Sequence, residues 1–149
     1  MKKQFWLLLL LIMPAISVLA QSKDADAIVG VWFNQKQSAK INIFLSSTGE
    51  YYGNIIWLKN PLDEDSGKPR TDKHNSDDKL KTKPLLGLLI LRGFKYTADK
   101  EWGEGQIYDP NTGHDYSCNI KLKDPQTLDV HGYIGISIIG RSETWKRAE

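Results

Sequence analysis

Lys40 to Leu45 alternates, with Ile41, Ile43 and Leu45 on one face of an extended segment. Similar runs follow at short, regular intervals. Tyr51 to Leu58 is rich in aromatic and β-branched residues. Leu85 to Tyr96, Glu101 to Tyr108, His114 to Lys123, Thr127 to Tyr133 and Arg141 to Arg147 continue the pattern, and Val31 to Asn34 precedes it. These make about eight strands. The breaks carry turn chemistry, as in Ser47-Thr48-Gly49, Asp109-Pro110-Asn111-Thr112-Gly113 and Lys123-Asp124-Pro125, where Gly accepts positive φ and Pro pre-sets φ. No long helical period competes, apart from a turn or two at Asp24 to Ile28 and at Asp77 to Lys81. The spacing predicts an all-β antiparallel up-and-down barrel, because closure removes exposed strand edges.

One connection breaks the rhythm. From Lys59 to Pro84 the chain is polar and charged, with prolines at 61, 69 and 84. A connection this long in a compact domain is functional or a solvated excursion. It is expected over one mouth of the barrel, as a lid carrying Asp72, Asn75 and Lys83, or as a partner surface.

The N-terminus has the three parts of a cleavable signal peptide. Lys2 and Lys3 are followed by an apolar run from Phe5 to Ile12, and Val18-Leu19-Ala20 offers small residues before a cut. The run is short for a membrane span of ~20 residues, and Pro14 interrupts it. Cleavage after Ala20 is expected, giving a periplasmic or secreted protein with no stable membrane insertion. Residues 21–149 then form a single domain.

Removal of the first 20 residues leaves 129, with 18 basic and 18 acidic side chains. Such neutrality argues against a nucleic-acid partner and against electrostatic docking on anionic lipid. Cys118 is the only cysteine, so no intramolecular disulfide forms and the core must hold the fold. It shares a strand face with Tyr116, Ile120 and Leu122, which places it inside.

No catalytic or metal motif emerges. Asp63-Glu64-Asp65-Ser66-Gly67 starts like a calcium loop, but the sixth and twelfth places hold Lys68 and His74 instead of Gly and Glu. His74, His114 and His131 lack zinc-ligand spacing. Ser137 sits in an apolar, glycine-rich run without a nucleophile elbow. No cofactor-binding motif is present either.

Gly30-Val31-Trp32 resembles the Gly-x-Trp signature of lipocalins and related calycin barrels. In those barrels the tryptophan closes one end and a last-strand arginine packs across it. Arg141 and Arg147 are available for that role. A longer series runs in order through the chain: Gly53-Asn54-Ile55-Ile56-Trp57-Leu58, Gly67-Lys68-Pro69, Lys83-Pro84-Leu85-Leu86-Gly87-Leu88, Gly93-Phe94-Lys95-Tyr96, Ile107-Tyr108-Asp109-Pro110, Tyr116-Ser117-Cys118, His131-Gly132-Tyr133-Ile134-Gly135-Ile136-Ser137 and Gly140-Arg141. It resembles the bacterial domain-of-unknown-function 2147 family, similar to exported lipocalin-like barrels. The resemblance implies fold and location and leaves function open. Family members tend to carry Asn-Pro-Asp where this chain has Asn75-Ser76-Asp77, and arginine where it has Lys81, Lys83 and His131. Lysine keeps the charge but not the bidentate fork.

The resulting expectation is a binding module holding one small apolar or amphipathic ligand in the barrel interior. Trp57, Tyr108, Tyr133 and Trp145 would supply walls, Arg141 and Asp109 polar anchors, and Trp32 with Arg147 the barrel-end packing. An enzyme using carboxylates such as Asp72 or Asp109, or an envelope scaffold, stays open, as does a homodimer. The last strand leaves two arrangements. Either Arg141, Glu143, Trp145 and Arg147 point inward, or Ser142, Thr144 and Lys146 do.

Overall fold

The computed structural model describes residues 23–136 and 138–148. The expected signal peptide and its cut after Ala20 lie outside them. Eight antiparallel strands close into a barrel in sequence order: β1 (Gly30–Phe33), β2 (Ala39–Leu45), β3 (Tyr51–Leu58), β4 (Leu89–Ala98), β5 (Glu101–Asp109), β6 (His114–Asp124), β7 (Thr127–Tyr133) and β8 (Gly140–Arg147). Closure is made by β1 and β8, with Trp32 opposite Arg147 and Phe33 opposite Lys146.

The first strand runs Gly30–Phe33, one residue earlier than the expected Val31 to Asn34, and the fourth starts at Leu89 rather than Leu85. Gly87 adopts φ +89, and the Leu88 N–H turns back to the Leu85 carbonyl. Leu85 is buried, and its N–H donates to the Arg70 carbonyl in the long connection. Its apolarity anchors the loop. The turn expected at Asp77 to Lys81 is a run of hydrogen-bonded turns, the Leu80, Lys81 and Lys83 N–H groups donating to the Asp77, Asp78 and Leu80 carbonyls.

Strand alternation delivers the core. Ile41, Ile43, Tyr51, Ile55, Leu91, Phe94, Trp102, Cys118, Ile120, Leu122, Leu128, Val130 and Trp145 are all buried. Phe94 lies so close to β5 that a Cβ at Gly105 would come within 2.4 Å of its ring. An eight-stranded barrel is just wide enough for its own side chains to fill, and these large residues form one core cluster within it.

One end is closed by the 3-10 helix Asp26–Ile28. Ile28 and Trp32 are fully buried, and the Trp32 indole N–H donates to the Ile28 carbonyl at 2.9 Å. The Trp102 indole donates to the Ala25 carbonyl at 2.9 Å, and the Tyr51 hydroxyl to Asp26 at 2.8 Å. The opposite end carries the β1–β2, β3–β4, β5–β6 and β7–β8 connections, and is the mouth.

Candidate functional site

The long β3–β4 connection folds back over the mouth. Two isolated bridges, Leu62 with Pro69 and Thr71 with Pro84, give it internal order. Its anchor is Asp72, which is 1 % exposed. The Tyr108 hydroxyl, at the end of β5, donates to one Asp72 oxygen at 2.7 Å, and the Asn75 amide donates to the other at 2.7 Å. The Asp72 N–H donates to the Lys83 carbonyl at 2.9 Å. Burial, reinforced by Asp72, pushes the Tyr108 hydroxyl up to about 12. A buried carboxylate is tolerated only with such partners. Asp72, Asn75 and Lys83, expected to belong to one lid, are therefore brought together, Lys83 by its backbone.

A second contact locks the lid to the β5–β6 turn. Gly113 adopts φ +75, and a Cβ there would overlap the His74 carbonyl oxygen at 1.8 Å. Between the lid and this turn lies a cleft of about 250 Å³. Lys68, Arg70, Lys73 and His74 line it with Asp63, Ser66, Thr71 and Asn111. Asp63 is the lone carboxylate among the lining residues. Hydrogen bonds from the Ser66 N–H and hydroxyl hold it below the usual carboxylate range, aided by Lys73. Neither Lys68 nor Arg70 forms a salt bridge among the described residues. The cleft can thus receive an anionic group.

The residues expected to surround an interior ligand do not line this cleft. Trp145 is buried in the packed interior, its indole donating to Glu143 at 3.2 Å. Tyr108 is held by Asp72. Trp57 is half-exposed on the outer wall, edge-on to Phe33 with the Lys40 ammonium 5.5 Å from its ring centroid. Asp109 accepts from the N–H and amide of Asn111 in its own turn. Tyr133 stacks on His131 at 5.9 Å. Neither Asp72 nor Asp109 lines the cleft.

On β8 the register settles the facing. Trp145 opposes Leu128, Glu143 opposes Val130 and Arg141 opposes Gly132, so this set shares the inward face. At the closed end Arg147 lies across Trp32, its guanidinium carbon 4.0 Å from the ring centroid. At the mouth Arg141 reaches the rim and is exposed. No group of three or more His, Cys, Asp or Glu side chains able to hold a metal occurs among the described residues.

The family model described as uncharacterized protein conserved in bacteria (DUF2147) matches residues 30–147. The chain belongs to this family. A solved structure, protein HP1028 from the human pathogen Helicobacter pylori, described as belonging to the lipocalin family, superposes with a TM-score of 0.70 at 20 % identity. The match covers 82 % of this chain and 83 % of that one, and it shows the lipocalin-like fold. No curated protein matches the sequence.

Within this DUF2147 chain, sequence reasoning missed the cleft residues Lys68, Arg70, Lys73 and His74. They stand among like and opposite charges, and no spacing marks them. The one available signal was Gly113. Its turn was legible, but the His74 backbone that needs the missing Cβ lies far away in sequence.

Proposed function

We propose that this protein is an exported binding module that takes the anionic group of a small amphipathic molecule at the barrel mouth. The observation that carries this reading is the cationic cleft under the pinned lid. Three lysine and arginine side chains face one carboxylate there, and ion pairing in a partly enclosed site is stronger than in open water. The packed interior argues that the ligand sits at the mouth rather than in the lumen. Arg141, exposed on the rim, is available to a ligand that reaches across it.

Export is part of the reading. It is supported by Lys2 and Lys3, the apolar run and Val18-Leu19-Ala20. The lipocalin-like barrel supports binding in the same way, since small closed barrels present ligands to loops at one mouth.

Native mass spectrometry of the protein taken from its own periplasm tests this directly. The expected result is a chain beginning at Gln21 with a retained small anionic molecule. The double variant Arg70→Ala, Lys73→Ala should lose that molecule while keeping the wild-type melting temperature. Protein that carries no small molecule, and whose melting is indifferent to dodecyl phosphate, would sink the proposal.

A further inference from the structure

The β7–β8 connection is strongly apolar and uncovered. Ile134, Ile136, Ile138 and Ile139 are 70, 61, 87 and 67 % exposed. The Ile139 N–H donates to the Ile136 carbonyl, which closes a turn. Gly135, at φ +74, sits among them with nothing near its missing Cβ. Contiguous exposed apolar side chains of this kind mark an interaction site.

We propose that this loop inserts into the interfacial layer of a phospholipid bilayer and seats the barrel mouth on it. The first support is the asymmetry of the molecule. Of the ten large apolar residues exposed among the described residues, only Val29 and Leu45 lie towards the closed end. Ile56, Trp57, Leu62 and Leu86 share the mouth end with the four isoleucines of the loop. The second is charge. The four mouth connections hold eight basic and six acidic side chains. Of the acidic ones, Asp72 is buried and Asp78 is paired with Lys81. Arg141 stands exposed at the base of the loop, in no ion pair among the described residues, and Tyr133 stands at the other base. Apolar tip, aromatic and cation in that order match the depth profile of a membrane interface with anionic headgroups. Overall neutrality excludes a purely electrostatic attachment, and this one is led by apolar insertion.

A second copy of the chain fits less well. Barrel closure removes the strand edges on which copies could pair. The mouth cleft is lined by charged and polar side chains apart from Leu85, Pro69 and Pro110, so it does not complement an isoleucine tip.

The test is co-sedimentation of the exported protein with vesicles of phosphatidylethanolamine and phosphatidylglycerol. Ile138→Asp and Ile138→Ser are compared with wild type at the same N-terminus. Ile138 is the most exposed of the four, so both variants should melt as wild type does. The proposal expects wild type to pellet with vesicles and both variants to partition at least tenfold less. Wild type left in the supernatant overturns it, as do variants that pellet like wild type. So does a concentration-dependent dimer that Ile138→Asp abolishes without any vesicle binding, which would assign the loop to a second copy.

Discussion

The guanidinium of Arg147 lies over the indole of Trp32, its carbon 4.0 Å from the ring centroid, and Gly30 is the residue that makes room for it. A Cβ on Gly30 would sit 2.6 Å from an Arg147 nitrogen, and Gly30 adopts φ +133. The guanidinium is otherwise held by backbone carbonyls, with Nε donating to Pro125, Nη1 to Val29 and Nη2 to Ala27. The three residues act as one device. It ties the first strand, the last strand, the 3-10 helix and the β6–β7 turn together at the closed end.

Trp32→Ala should cost about 3–5 kcal/mol, as large core truncations do. Arg147→Ala should cost less at the ring, where the cation adds about 0.5–2 kcal/mol beyond packing, but it also leaves three carbonyls to water. Gly30→Ala should destabilise although it adds only a methyl group. Chemical denaturation of the three variants checks the order, and a Gly30→Ala midpoint equal to wild type would contradict the close packing.

The lid should open when its anchors are removed. Asp72→Ala leaves the Tyr108 hydroxyl and Asn75 amide without their acceptor, and Gly113→Ala pushes the His74 backbone away. Both variants should raise amide exchange and proteolysis within 59–84 while the strands stay protected. Exchange that rises equally in β2 and β6 would show that the whole barrel had been destabilised instead.

Alkaline stability reports on the same anchor. Tyr108 is pushed up to about 12 from an ordinary 10.0 by burial and by Asp72. Below pH 10 the tyrosine is protonated in both folded and unfolded chains, so it gives no pH dependence. From pH 10 to 12 the unfolded chain loses the proton first, and stability falls by on the order of 2 kcal/mol. Tyr108→Phe should be less stable than wild type at pH 8, with the gap narrowing as pH rises above 10. Parallel denaturation curves across that range would argue against the shift.

Cys118 is fully buried, and burial pushes its thiol up to about 12. At pH 8 a thiol reagent should label it only after denaturant is added. Rapid labelling of the native protein would place the side chain outside the core.

Much of the fold was legible because strand alternation and turn residues are local signals. Ile41, Ile43, Cys118 and Ile120 announce an inward face by period alone, and Gly49 and Gly113 mark turns by composition. The start of β4 was not legible, since Leu85 is as apolar as a strand residue and only its bond to Arg70 makes it part of the lid. The site was read less well. Asp72, Asn75 and Lys83 lie in the long connection as expected, whereas Trp57, Tyr108, Asp109, Tyr133 and Trp145 do not line the cleft. An aromatic in a strand faces the lumen or the outer wall with similar sequence appearance, and only β-pairing and packing separate the two.

The sequence by itself determined most of the strands and the turns that set their up-and-down order, because each depends on neighbours a few residues apart. Only the tertiary structure decided which last-strand arginine covers Trp32, which large side chains form the core cluster, and that Asp72 pins the lid. Those outcomes depend on volume and distance between residues far apart in the chain: Phe94 against Gly105, His74 against Gly113, Arg147 against Gly30. The missing Cβ in each pair is visible in the sequence, and the atom that needs its absence is not.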